Sequence, residues 1–174
     1  MADQRQSAEQ EAAGPNVAEL GEIEAIKRLK ARYCLVLDAK DWRAYRALFT
    51  DDAQIGGAIP VEGAQGTSFA PDEFVAAVER TLSPWTTFHM AQPQLIELTG
   101  EGSASGLWAY TQSGFGRTSG YYNERYVKRG AWRIAAMHIT MVQPYSRDDP
   151  HLALDELTQQ ARGALVEQWG TRPR

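Results

Sequence analysis

The feature that most restricts this chain is a change of period at Pro84. Ahead of it, apolar residues recur at helical spacing. Behind it, segments rich in aromatic and β-branched residues succeed one another with glycines between them. A chain that spends its first half on helices and its second half on consecutive strands folds as α+β, with the helices gathered on one side of a curved, mostly antiparallel sheet.

The helical half opens near Val17. Leu20, Ile23, Ile26 or Lys27, Lys30, Tyr33 and Leu37 repeat at helical spacing, and Glu19, Glu22 and Glu24 precede Lys27, Arg28 and Lys30 in the order that suits a helix dipole. Asp41 reads as the N-cap of a short second helix in which Trp42, Tyr45 and Phe49 share a face, ended by Thr50-Asp51-Asp52. A short strand near Gly56-Gly57 is expected to give way to a loop from Pro60 to Gly66. Pro71 suits the first position of a third helix, with Phe74, Val78 and Leu82 as its buried stripe. Strands are predicted over 85–91, 94–99, 104–115, 120–129 and 131–143, with a hairpin at Lys128-Arg129-Gly130-Ala131. The folded unit then spans 17–145, between a polar, disordered lead over 1–16 and a helical extension over 146–174.

A chain of 174 residues can bury a core without disulfides or metals. Its net charge of −4, with basic residues scattered, argues against nucleic acid as a partner. Cys34 is the only cysteine, so no internal disulfide forms, and no metal site is expected. No secretory leader and no run of about 18 apolar residues is present, so membrane partners are not expected and the reading is cytoplasmic.

Two residues stand out chemically. Asp38 closes the first helix, where an acid opposes the helix dipole, and Tyr33 lies five residues earlier, near enough to lean toward the same region. The plain alternative is an Asp38 that caps the following turn and a Tyr33 that is core. His89 sits in the strand Thr86-Thr87-Phe88-His89-Met90, either as a satisfied core side chain or as a base oriented by a buried carboxylate, for which Asp38 is the candidate. On the middle strand Trp108, Tyr110 and Gln112 share one face. On the last strand Ala135, Met137, Ile139 and Met141 share one face, and Trp132, Ile134, Ala136 and His138 the other. Exposure of Trp132 and Ile134 on the outer face would favour a homo-oligomer.

The stretch from Arg32 to Trp42, then Ala47-Leu48-Phe49-Thr50-Asp51-Asp52-Ala53, resembles the opening of SnoaL-like domains of the nuclear transport factor 2-like superfamily. Thr87-Phe88-His89 resembles that family's histidine segment, and Gly120 to Val127 with Gly130 to Ile134 its terminal hairpin. The likeness covers about residues 17 to 143. It implies a cone-shaped α+β barrel around an apolar pocket. It is nearest the branch of scytalone dehydratase, bile acid 7α-dehydratase and hexachlorocyclohexane dehydrochlorinase, in which an Asp from the first helix pairs with the strand histidine. Asp38 and His89 hold those positions, and Tyr33 stands where the bile acid enzyme has a tyrosine.

The chain also departs from that branch. Trp108, Tyr110 and Gln112 replace the second pocket histidine or acid of the dehydratases, and Met137 falls where the dehydrochlorinase has arginine, which points Met137 and Met141 inward. The resemblance implies a cofactor-independent lyase or isomerase acting on a hydrophobic cyclic or polycyclic small molecule, and a homotrimer. Asp38, His89 and Tyr33 would be catalytic, and Trp42, Phe69, Trp85, Trp108, Tyr110, Gln112, Tyr122, Met137 and Met141 would line the substrate. Two alternatives stay open: a non-catalytic binding module, and the small structural subunit of a ring-hydroxylating dioxygenase, which shares the fold.

Overall fold

The computed structural model describes residues 14–57, 68–114 and 117–143. The predicted lead is described only from Gly14, and the helical extension and the loop over 60–66 lie outside the described residues. Three helices, α1 (Val17–Asp38), α2 (Trp42–Arg46) and α3 (Pro71–Leu82), accompany strands β1 (Phe49–Gly57), β2 (Phe88–Gly100), β3 (Ser103–Ser113), β4 (Thr118–Arg129) and β5 (Ala131–Gln143). The strands form one sheet in the order β1-β5-β4-β3-β2. β1 runs parallel to β5 and all other neighbours are antiparallel. This is the α+β cone of nuclear transport factor 2-like proteins.

Local chemistry sets the helix ends. Asn16 belongs to the folded unit rather than to a lead: its side chain accepts from the Ala18 and Glu19 amides while the Glu19 carboxylate accepts the Asn16 amide, a capping box. At the other end Lys40 takes a positive φ of 60°, which breaks the helix and lets Asp41 cap α2 through the Ala44 amide. The second helix is shorter than its apolar spacing suggested. Phe49 and Thr50-Asp51-Asp52 already belong to β1, because the chain turns after Ala47 to pair Phe49 with Ile134. α3 keeps its predicted stripe, with Phe74, Val78 and Leu82 buried.

The two segments predicted around Pro93 are one strand, β2. It is an edge strand, so a residue without an amide hydrogen is tolerated, and the register shifts between Pro93 and Leu95. The hairpin at Gly130, with φ 77°, stands as predicted.

Cross-strand register stacks the inner face into rows. His89, Gln112 and Thr118 form one; Ala91, Tyr110, Gly120 and Met141 the next; Pro93, Trp108, Tyr122 and Ile139 a third. Below them come Ile96, Gly106, Glu124 and Met137, then Leu98, Ala104, Tyr126 and Ile134. The two-face division of β5 is corrected here. Arg125 pairs with Ala136 and Tyr126 with Ile134, so Ala135 is the extra residue of a bulge. One extra residue moves the alternation to the opposite face, and Trp132, Ile134, Met137 and Ile139 are all buried. Trp132 also donates its indole N–H to Glu22 on α1, at 2.6 Å. The exposed apolar pair that favoured an oligomer therefore does not exist, and the trimer expectation rests on resemblance alone.

α1 and α3 close the inner face, α1 against β2 and α3 against β1. Tyr33, Tyr45, Phe49 and Phe74 meet there, with Tyr33 and Tyr45 edge to face at 5.0 Å between centroids and Phe49 and Phe74 at 5.9 Å. Each such pair adds about 0.5–1.5 kcal/mol beyond the area it buries. Lys30, on the apolar stripe of α1, is 1% exposed and is held by Glu124 of β4 at 2.6 Å. Its ammonium also lies 4.0 Å from the Tyr33 ring centre and 3.6 Å from that of Tyr122. The other Glu124 oxygen accepts the Tyr126 hydroxyl, which in turn accepts the Trp108 indole N–H at 2.6 Å.

Candidate active site

A hollow opens between the helices and the first rows of the sheet, lined by Tyr33, Leu37 and Tyr45 from the first two helices and by Phe74, Val78, Thr81 and Leu82 of α3. From the sheet come His89, Tyr110, Gln112, Thr118, Tyr122 and Ile139. It holds about 490 Å³ counting its open mouth, of which about 50 Å³ stands clear of the walls by the radius of a water. This hollow is a slot between the helices and the sheet.

Asp38 is placed by the end of α1 and His89 by the start of β2. His89 Nδ1 lies 2.6 Å from Asp38 Oδ1, the His89 amide donates to Asp38 Oδ2 at 2.8 Å, and the Thr87 hydroxyl donates to Oδ1 at 2.9 Å. Lys40 donates to Thr87 at 2.6 Å. These donors explain how an acid is held at a helix C-terminus that has no basic residue in its last turn. Gly114 keeps the arrangement tight: at φ +140° it lies so close to this segment that a Cβ there would stand 2.4 Å from the Thr86 carbonyl oxygen.

An ionised carboxylate only accepts, so the proton between the pair sits on His89 Nδ1 and Nε2 is the basic nitrogen. Burial holds the imidazole below its ordinary pKa, against the opposing pull of Asp38 and with help from the Lys40 and Lys30 charges. His89 is thus neutral near pH 7, the state a general base requires. The Tyr33 and Tyr45 hydroxyls lie 2.8 Å apart. Burial lifts both well above the ordinary phenol range, so the pair carries two protons, shares one and keeps one to donate.

Gln112 is buried at 4% exposure, and its Oε1 accepts the Thr118 hydroxyl at 3.1 Å. Its Nε2 has no hydrogen-bond partner among the described residues. Among those residues no group of three His, Cys, Asp or Glu side chains is placed to hold a metal ion. No helix among them is long and apolar enough to cross a membrane.

Of the residues singled out from sequence, the structure gathers Tyr33, His89, Tyr110, Gln112 and Tyr122 around the hollow, with Asp38 behind His89. Trp42, Phe69, Trp85, Trp108, Met137 and Met141 do not line it. Trp42 packs edge-on against Tyr45, Phe69 bridges to Ile55, and Trp85 sits in the exposed turn after α3. Trp108 and Met137 are buried, Trp108 with its indole turned to Tyr126 and Met137 in the row beneath the lining. Met141 shares a row with Tyr110 outside the lining.

Sequence reasoning missed Tyr45, Thr118 and the α3 side chains as lining, and the Lys30–Glu124 pair beneath it. A lysine on an apolar stripe was the visible signal for that pair, but its partner lies 94 residues away.

The fold defines a class, and sequence comparison agrees with it. The chain belongs to the SnoaL-like domain family, whose profile matches residues 18–138. No sequence among curated proteins matches. Similar solved structures include a protein of unknown function from Mycobacterium tuberculosis, 24% identical, covering 88% of this chain and 92% of that one with a TM-score of 0.62. A putative scytalone dehydratase from Novosphingobium aromaticivorans is 18% identical, covering 79% and 97% at TM-score 0.62. A type 2 hexachlorocyclohexane dehydrochlorinase is 18% identical, covering 77% and 94% at TM-score 0.62. At these identities the likeness carries the fold. Solved structures of this fold thus include a putative dehydratase and a dehydrochlorinase alongside a protein of unknown function.

Proposed function

We propose that this protein is a lyase or isomerase that needs no cofactor and acts on a hydrophobic, cyclic small molecule. The observation that carries the reading is the 2.6 Å contact between His89 Nδ1 and Asp38 Oδ1 beside an apolar slot. Neutral His89 takes a proton from a carbon of the bound ring through Nε2, and Asp38 stabilises the imidazolium that forms. The electron pair left on carbon becomes a double bond. In an elimination it expels the leaving group, and a hydroxyl departs as water when the imidazolium returns its proton. In an isomerisation the proton returns to a different carbon. In an elimination the Tyr33–Tyr45 pair donates a hydrogen bond to the departing oxygen and stays protonated throughout.

The test is turnover of a panel of cyclic β-hydroxy ketones, chlorinated rings and unsaturated ketones by wild type and His89→Ala. Loss of turnover in the variant, with the fold intact by circular dichroism, is the expected result. Undiminished turnover removes His89 as the base.

A further inference from the structure

Gln112 is a buried amide with one end satisfied and the other without a partner among the described residues, inside the lining of the slot. A buried donor left without a partner costs about 1–3 kcal/mol. The chain carries that cost at the one row of the sheet that also presents His89, since His89, Gln112 and Thr118 are direct cross-strand partners.

Which end of the amide is free follows from its neighbours. Tyr110 shares a hydrogen bond with Thr118. The Thr118 hydroxyl gives its one proton to Gln112 Oε1, and the NH₂ end is left without a partner among the described residues. The described lining contains no Lys, Arg, Asp or Glu, and its histidine is neutral, so nothing there compensates a charged ligand.

We propose that Gln112 Nε2 is the slot's oxygen-binding donor and that the ligand is a neutral ring compound carrying a carbonyl group. The carbonyl oxygen accepts from Gln112 Nε2, and the ring carbon bearing the acidic hydrogen faces the neighbouring His89. Removing a proton beside a carbonyl moves negative charge onto that oxygen, so the same N–H strengthens its bond as the reaction proceeds. Gln112 is then a substrate-binding residue that selects for oxygen and stabilises the enolate. This deepens the lyase or isomerase reading and rests on it for the enolate step alone. The binding preference stands without turnover.

The experiment compares three probes of matched shape by ligand-observed NMR titration: the cyclic enone isophorone, its ring hydrocarbon, and the corresponding ring carboxylate. Wild type should bind the enone about tenfold or more tighter than the hydrocarbon and the carboxylate weakest. Gln112→Leu should bind enone and hydrocarbon alike, with the hydrocarbon undiminished. Should Gln112→Leu not fold, Gln112→Met removes the same donor on a more adaptable chain. His89→Ala should keep the enone preference, which separates this proposal from the assignment of the base. Equal binding of the three probes by wild type, binding of none at millimolar concentration, or an enone preference that survives loss of the amide overturns it.

Discussion

Two polar clusters share the interior of this cone and are built on opposite terms. Beneath the slot, Trp108, Tyr126, Glu124 and Lys30 form a chain in which each polar end meets a partner, and the ammonium also lies against the faces of Tyr33 and Tyr122. At the slot itself, Asp38 accepts from three donors, yet His89 keeps a basic nitrogen and Gln112 an N–H without a partner among the described residues. The lower cluster spends its bonding capacity on the fold. The upper one holds some back, and that reserve is what a ligand can use.

Substitution should separate the two clusters by readout. The largest effect belongs to the upper one: His89→Ala should lower turnover about 10²–10⁴-fold, the usual contribution of a positioned general base. Unfolding by denaturant should move far less than turnover does. A comparable loss of stability would place His89 among the structural residues and erase the contrast.

Next comes the lower cluster. Lys30→Met leaves Glu124 buried without its ammonium, and breaking a buried pair from one side costs about 3–5 kcal/mol. The double variant Lys30→Met with Glu124→Leu should recover much of that loss, because the desolvated charges go together. Chemical denaturation of the two variants checks it, and a double variant no more stable than the single one would show that the pair is more than a matched set of charges.

A smaller effect lies in the pH dependence. The folded-state pKa of His89 is lowered, so between that value and the ordinary 6.5 the unfolded chain binds more protons than the native one. This contribution to stability is complete above about pH 6.5 and is lost as pH falls toward the lowered value. The acid limb of the rate profile should accordingly fall below pH 6.5. Lys40→Met removes a charge that holds the imidazole down and should move that limb upward; Asp38→Asn removes the opposing carboxylate and should move it downward. Limbs that move together, or not at all, would detach the imidazole from its neighbours.

The two clusters also differ in how far the sequence discloses them. The helix-then-strand order, α1, the stripe of α3 and the hairpin at Gly130 follow from local spacing, and they stand in the structure. Tyr33, Asp38 and His89 were visible as residue types out of place, with their pairing supplied by family resemblance. Nothing local tells that Ala135 is an extra residue, and missing it turned Trp132 and Ile134 outward on paper while both are buried. Aromatic residues chosen as slot walls failed for a related reason: apolar character selects for burial, and Trp108 and Met137 are buried outside the slot lining. The Lys30–Glu124 pair joins α1 to β4, a contact that depends on the register of the whole sheet.

The smallest effect is the sharpest probe of the difference. An amide that only filled space or braced the sheet would be missed when removed, whereas an unpaired donor kept for a ligand is a standing cost to the unliganded fold. Gln112→Leu together with Thr118→Val replaces both hydrogen-bonding partners by apolar groups of similar volume, the case in which exchange is near neutral or stabilising. The Tyr110 hydroxyl then loses Thr118, which offsets part of the gain. The melting temperature without ligand should therefore stay within a few degrees of wild type or rise, a change of about 1 kcal/mol or less. A fall as steep as that of Lys30→Met would make Gln112 a structural residue like those beneath it, and the contrast between the two clusters would reduce to depth alone.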